Sequence, residues 1–346
     1  MRKRRYRASI GVVSDTAILV EGLAKRFGDV VALDGIDFQV PAGSVFGLLG
    51  PNGAGKTTAI RILTTILRPD GGRAEVLGLD VVRQADEVRY RIGLAGQYAA
   101  IDPNLTGREN LRLTGRLAQL PSADAHTRAD ELLERFQLTD AGDRPARTYS
   151  GGMRRRLDVA AALVQRPPVV FLDEPTTGLD LQSRNALWEM IRELVAEGTT
   201  VLLTTQYLEE ADRLAQRIAV VDGGRVIADD TPAALKAQLG STVIELGMGD
   251  ANRAVRAEGL VAQMADRPER DGATLRLTSD DGSRLLIDVL RLLDDQGLAP
   301  TTLAVRDPSM DDVFLALTGR RAESEAETAA NGGRRGRRGA RARGAA

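Results

Sequence analysis

The chain of 346 residues is 43% hydrophobic and 27% charged, with a net charge of −1, no Cys and a single His, His126. That length suits about two domains of roughly 150 residues in a chain of ordinary globular composition. The missing Cys excludes disulfides, thiolate metal centres and a Cys nucleophile, and the lone His all but excludes His-based general-base chemistry and His-rich metal sites.

The near-neutral charge conceals two basic ends, MRKRRYR at the start and GGRRGRRGARARG at the finish. Asp15 interrupts the apolar part that follows the first of these and no small-residue cleavage site stands out, so residues 1–16 read as a basic extension rather than a signal peptide. Residues 17–238 alternate short apolar runs with longer helical patterns, which predicts an α/β domain with a largely parallel sheet. SVFGLLG from Ser44, VVFLDEP from Val169 and TTVLLTT from Thr199 read as buried strands. From Asp102 to Gln165 the pattern is mostly helical and predicts an inserted helical subdomain. RIAVVDGGRVIADD, from Arg217, predicts a hairpin that closes the domain.

After Gly240 the pattern changes. TVIELGM, ATLRLTS and TTLAVR predict short strands, with SRLLIDVLRLLDDQG as an amphipathic helix between the second and third, giving a small α+β domain over 242–318. Its last element, PSMDDVFLALTG, has Ser309 placed as a cap with Asp312 three residues on, and Met310, Val313, Phe314 and Leu317 on one face. That face needs a surface to pack on. Residues 319–346, rich in Ala, Glu, Gly and Arg, carry too little apolar content to fold and predict a disordered basic tail. No window of the chain approaches the roughly 18 apolar residues of a membrane helix, so any service to a membrane runs through a partner.

GLLGPNGAGKTTAIRIL matches G-x-x-x-x-G-K-[ST], placed directly after an apolar strand and before a helical pattern. Across Gly50, Pro51, Asn52, Gly53, Ala54, Gly55, Lys56, Thr57 and Thr58, backbone N–H groups can wrap phosphates at a helix N-terminus. Lys56 then reaches the β- and γ-phosphates and Thr57 a Mg²⁺ ion. Such a loop alone serves kinases, GTPases and ATPases alike. Asp173 and Glu174, which close a buried strand, narrow the choice: the first suits Mg²⁺ and the second can deprotonate an attacking water, for which a phosphotransferase has no use. In YSGGM, Ser150, Gly151 and Gly152 form either an anion-binding turn or simply the N-cap of the helix that follows.

In this order and spacing the motifs resemble the ATP-binding cassette (ABC) ATPases, whose P-loop NTPase fold carries an inserted helical subdomain. The Walker A loop is Gly50 to Thr57, the Q-loop glutamine is Gln97, YSGGM stands where the family usually has LSGGQ, Asp173 and Glu174 end the Walker B strand, and the D-loop ends at Asp180. The resemblance implies that two copies close head to tail over two ATP molecules, with Ser150, Gly151 and Gly152 serving the partner's nucleotide and Asp180 of the D-loop among the nucleotide-binding residues. It also implies that Phe27 stacks on adenine, that Gln97 joins Thr57 and Asp173 around Mg²⁺, and that Glu174 is the hydrolytic base. The family's switch histidine is replaced by Gln206, which donates a hydrogen bond but carries no imidazolium charge. Hydrolysis is expected to persist, with Glu174 as base.

YSGGM, TTQYLEEAD and the terminal PSMDDVFLALTG together resemble the ATP-binding subunits of daunorubicin/doxorubicin-resistance exporters. That implies an ATPase working at the cytoplasmic face of the plasma membrane, bound to a separate integral permease that exports drugs, antibiotics or lipids. The rival is a soluble ABC protein acting on ribosomes or DNA through the arginine-rich ends. A single cassette, the absence of a long coiled coil, and a C-terminal basic stretch with no interleaved aromatic all argue against it, so no specific nucleic acid partner is expected.

Overall fold

The computed structural model describes residues 15–96, 101–239, 242–264, 268–279 and 281–319. Residues 1–14 of the basic extension, Gln97, and residues 320–346 of the basic tail lie outside the described residues. The chain divides into two compact units, Met1–Asp229 and Asp230–Ala346. Among the described residues no helix is long and apolar enough to cross a membrane.

The first unit begins with two long antiparallel strands, β1 (Thr16–Phe27) and β2 (Val30–Pro41), followed by β3 (Val45–Leu49) and helix α1 (Lys56–Leu63). Next come β4 (Gly71–Val76), β5 (Leu79–Asp80), α2 (Ala85–Arg89) and β6 (Ile92–Ala95). The predicted helical insertion holds α3 (Gly107–Leu117), α4 (Ser122–Arg135) and α5 (Gly151–Ala162). A full capping box starts α3, with Thr106 and Glu109 each bonding the other's backbone. The chain returns through β7 (Val169–Asp173), α6 (Leu181–Ala196), β8 (Thr200–Thr205), α7 (Leu208–Leu214), β9 (Arg217–Asp222) and β10 (Arg225–Asp230).

Two sheets result. A six-stranded sheet runs β10-β9-β3-β8-β7-β6, and a four-stranded antiparallel sheet runs β2-β1-β4-β5. In the first, β3, β7 and β8 are buried at every position, as central parallel strands covered on both faces must be. The six-stranded sheet is the largely parallel one that the sequence predicts, and the antiparallel sheet beside it is not announced there. Several register shifts interrupt the pairing of β1 with β2, and such irregularities blur the alternation that marks a half-buried strand. Phe38 of the four-stranded sheet stacks on Phe46 of the six-stranded one, ring centres 5.2 Å apart, inside a core that also takes Ile18, Leu48, Phe171 and Leu202. Burying a side chain of this size contributes about 2 kcal/mol.

The parallel register fixes the functional edge. Leu49 stands opposite Thr205, and Asp173 opposite Thr204, so β3, β8 and β7 end in one line. Loops leaving that line converge on the crevice where open α/β sheets bind ligands.

In the second unit α8 (Pro232–Ala237) precedes β11 (Thr242–Gly247), α9 (Ala251–Val261), β12 (Glu269–Asp271), β13 (Thr274–Ser279), α10 (Gly282–Asp295), β14 (Thr302–Arg306) and α11 (Met310–Thr318). The antiparallel order β12-β13-β11-β14 makes this a split β-α-β-β-α-β arrangement of the ferredoxin-like kind. Ile244, Leu246, Leu275 and Leu277 of the sheet pack under Ala254, Val289 and Leu293 of the helices. Helix α11 finds its surface on α8. Met310, Val313 and Phe314 are buried, whereas Leu317 keeps 37% of its surface exposed. Asp312 closes the capping box with Ser309 and takes a bidentate pair from Arg306 at 2.6 and 2.9 Å.

Candidate functional site

The loop from Gly50 to Gly55 turns β3 into α1, and the glycines at its two ends stand where an added side chain would clash. A Cβ on Gly50 would lie 2.2 Å from the carbonyl oxygen of Val221, and one on Gly55 would lie 2.4 Å from that of Ala32. Gly55 also takes φ 111°, in the region that favours glycine. The Lys56 side chain is buried, its ammonium donating to the carbonyl oxygens of Gly50 at 2.7 Å and Pro51 at 3.1 Å. Asn52 and Gly53 are exposed, Ala54 is buried with its carbonyl accepting from Gly224 N–H at 3.2 Å, and Thr57 and Thr58 are half-buried in the first turn of α1. The N–H groups at this end of α1, with the positive end of its dipole, make the loop a phosphate cradle.

Facing the loop, Asp173 is 4% exposed and its Oδ1 accepts from Thr204 Oγ1 at 2.6 Å and Thr57 Oγ1 at 3.2 Å. Glu174 is half-buried one residue on. Its N–H donates to both the carbonyl and the hydroxyl oxygen of Thr204, at 3.1 Å each, and its backbone takes φ 48°, left-handed for a residue with a side chain. Thr177 Oγ1 donates to Glu174 Oε2 at 3.4 Å. Gln206 is half-buried directly after β8, at the same edge. The hydroxyl of Thr57 beside the carboxylate of Asp173 is a hard-oxygen pair of the kind that holds Mg²⁺ with substrate phosphates, so the residues present fit that ion.

The remaining predicted residues lie on neighbouring elements. Ser150 is the N-cap of α5, its hydroxyl accepting from Met153 N–H at 3.2 Å, while Gly151 is exposed. Gly152 faces Ser183, whose Oγ would stand 2.4 Å from an added Cβ. Asp180 caps α6 by accepting from Ser183 N–H at 2.7 Å, and that bond holds its carboxyl below the ordinary value. Phe27, 48% exposed, ends β1, with the Lys25 ammonium 5.7 Å from its ring centre. The return strand β2 carries Ala32 and Leu33 against Gly55, so Phe27 belongs to the hairpin that borders the loop. Tyr149 accounts for the departure from LSGGQ at its first position: the hydroxyl donates to the Ala141 carbonyl at 2.7 Å and ties the turn into the helical insertion.

Two residues escaped the sequence reading. Thr204 bonds both acidic positions, and Arg155, on α5, donates to backbone carbonyls around them. Thr204 lies in an apolar strand and Arg155 in a run of three arginines, and neither setting distinguishes them.

A glycine cradle with its lysine, answered by Asp173 and Glu174 at a nearby parallel strand end, defines a P-loop ATPase. Comparison with known proteins narrows the class. The family described as ABC transporter matches residues 33–177. The chain is 57% identical over 318 residues to the daunorubicin resistance ATP-binding protein DrrA2 of Streptomyces coeruleorubidus, covering 91% of this chain and 99% of that one. It is 52% identical over 309 residues to the daunorubicin/doxorubicin resistance ATP-binding protein DrrA of Streptomyces peucetius, covering 89% and 94%. A solved ATP-binding subunit of an ABC transporter superposes with TM-score 0.59 at 28% identity, covering 64% of this chain and 93% of that one. The chain belongs to the ABC transporter ATP-binding proteins of the daunorubicin/doxorubicin-resistance type, and its reaction is ATP hydrolysis.

Proposed function

We propose that this ATPase powers the efflux of a drug-like or lipid-like compound through a separate integral membrane permease, as a peripheral subunit at the cytoplasmic face of the plasma membrane. The observation that carries the reading is the extent of the likeness to the daunorubicin resistance proteins, which is too long to be confined to the first unit and takes in the second.

In the cycle, two copies close head to tail over two ATP molecules. Phe27 stacks on adenine. Lys56 exchanges the Gly50 and Pro51 carbonyls for phosphate oxygens, and the loop N–H groups orient the phosphates for in-line attack. Thr57, Asp173 and Gln97 would hold Mg²⁺, which when bound would supply positive charge to offset that of the nucleotide phosphates. Glu174 takes the proton of the attacking water, and Gln206 donates its amide N–H to the γ-phosphate. Ser150, Gly151, Gly152 and Asp180 of each copy complete the partner's site, so neither copy hydrolyses well alone.

Glu174→Gln tests the reading, since it should bind ATP and stall before hydrolysis. A tagged copy in its native cell, solubilised with Mg·ATP, is expected to retain a polytopic membrane protein in stoichiometric amount. Recovery of ribosomes or nucleic acid without a membrane protein would replace the exporter reading with the rival.

A further inference from the structure

The guanidinium of Arg155 is the most heavily engaged side chain around Glu174, although it touches neither the phosphate loop nor Asp173's carboxylate in the hydrogen bonds described. Its side chain is 11% exposed. Nε donates to the Pro175 carbonyl at 2.8 Å and Nη2 to the Asp173 carbonyl at 3.0 Å, the two residues on either side of Glu174. Nη1 donates to the Gly96 carbonyl, next to Gln97, and to Asp158 Oδ2 at 3.1 Å. The Asp158 carboxylate, 2% exposed, supplies the counter-charge.

A carbonyl clamp of this kind has a purpose at this position. Glu174 takes φ 48°, a conformation that a residue with a side chain keeps only when its surroundings over-determine it. Thr204 fixes the N–H of Glu174, and Arg155 fixes the carbonyls before and after it. A lysine ammonium lacks the planar fork needed to serve divergent carbonyls at once. Arg155 also stands on α5, the helix that Ser150 caps, so one guanidinium joins that helix to the ends of β6 and β7.

We propose that Arg155 is the positioning residue of the hydrolytic carboxylate, holding the backbone on both sides of Glu174 and tying it to the helix that begins at the Ser-Gly-Gly turn. This rests on the reading of Glu174 as the general base. Arg155 acts through Glu174 and makes no contact with nucleotide.

Full-length chains carrying Arg155→Gln, Arg155→Lys, Glu174→Gln and the Arg155→Gln/Glu174→Gln pair distinguish the roles. With Arg155→Gln, ATP binding by calorimetry should stay within about threefold while kcat falls about 100-fold, the scale of a small misplacement of a reacting group. Arg155→Lys should lose about tenfold in kcat with KM unchanged, which keeps the test alive where the Gln variant folds poorly. In single-turnover assays with radiolabelled ATP, the double variant should be no slower than Glu174→Gln alone, because a positioning residue has nothing left to position. Wild-type kcat in Arg155→Lys or Arg155→Gln, or a double variant slower by the product of the single losses, overturns the proposal. A Glu174→Gln chain that hydrolyses ATP normally overturns the general-base reading instead.

Discussion

Thr57 and Asp173, separated by 116 positions in the chain, meet at 3.2 Å through hydroxyl and carboxylate oxygens. The meeting is enforced from both sides. Thr57 is held in the first turn of α1 by the glycine loop, and Asp173 ends a strand one place removed from β3 in the sheet. The sheet register thus brings together the two oxygens proposed to hold Mg²⁺.

Thr204→Val removes the hydroxyl that donates to Asp173 and accepts from Glu174 while keeping side-chain shape. Stability should fall by about 1–2 kcal/mol, since buried polar groups are left with fewer partners. The Mg²⁺ concentration for half-maximal turnover should rise. Urea unfolding and a Mg²⁺ titration of ATPase rate measure the two effects, and an unchanged titration would show that Asp173 needs no such support.

Gly55→Ala places a methyl group 2.4 Å from the Ala32 carbonyl oxygen and 2.8 Å from Leu33 Cδ2, at φ 111°. Backbone has to shift, so the loop should lose its phosphate geometry, with a cost of about 2–3 kcal/mol in stability. ATP affinity by calorimetry is expected to fall at least about 100-fold.

Gln206→Ala should slow steady-state turnover about tenfold, the loss of one hydrogen bond to a charged phosphate. An unchanged rate would remove Gln206 from the mechanism. Because glutamine does not titrate, the wild-type rate should also lack the pH 5–8 limb that an imidazole at this position would impose.

Asp312 sets an acid limit on the second unit. Burial opposes its charge, but the Arg306 guanidinium and the Ser309 donors outweigh that penalty and hold the carboxyl at about 2, against an ordinary 3.8. A depressed folded-state value means that the stabilisation is complete above pH 3.8 and drains away as pH falls toward about 2. Asp312→Asn should destabilise this unit by about 2 kcal/mol near neutral pH, less than for a fully buried pair because Arg306 is partly hydrated. Calorimetric scans of wild type and variant should differ most above pH 5 and converge near pH 2.

The parts legible in the sequence were those with a local rule. SVFGLLG and TTVLLTT declare themselves as β3 and β8 because buried parallel strands are apolar at every position, and Ser309 with Asp312 marks the start of α11 because a capping box is a contiguous pattern. Helix α9 stayed hidden because Ala254, Ala257 and Val261 bury too little apolar surface to show a period, and β12 because Glu269–Asp271 is short and charged. At the site, Lys56, Asp173 and Glu174 follow from motif spacing. Thr204 and Arg155 matter only through contacts between strands and helices distant in sequence, so no window of residues could reveal them.

The left-handed backbone at Glu174 puts two demands on one position in conflict. By conformation alone the best residue there is glycine, which takes φ 48° freely, whereas a side chain costs about 1–2 kcal/mol. A Glu174→Gly chain should therefore melt no lower than the parent while hydrolysing nothing. If Glu174 is the general base proposed above, the chain gives up thermal endurance at this position for turnover of ATP.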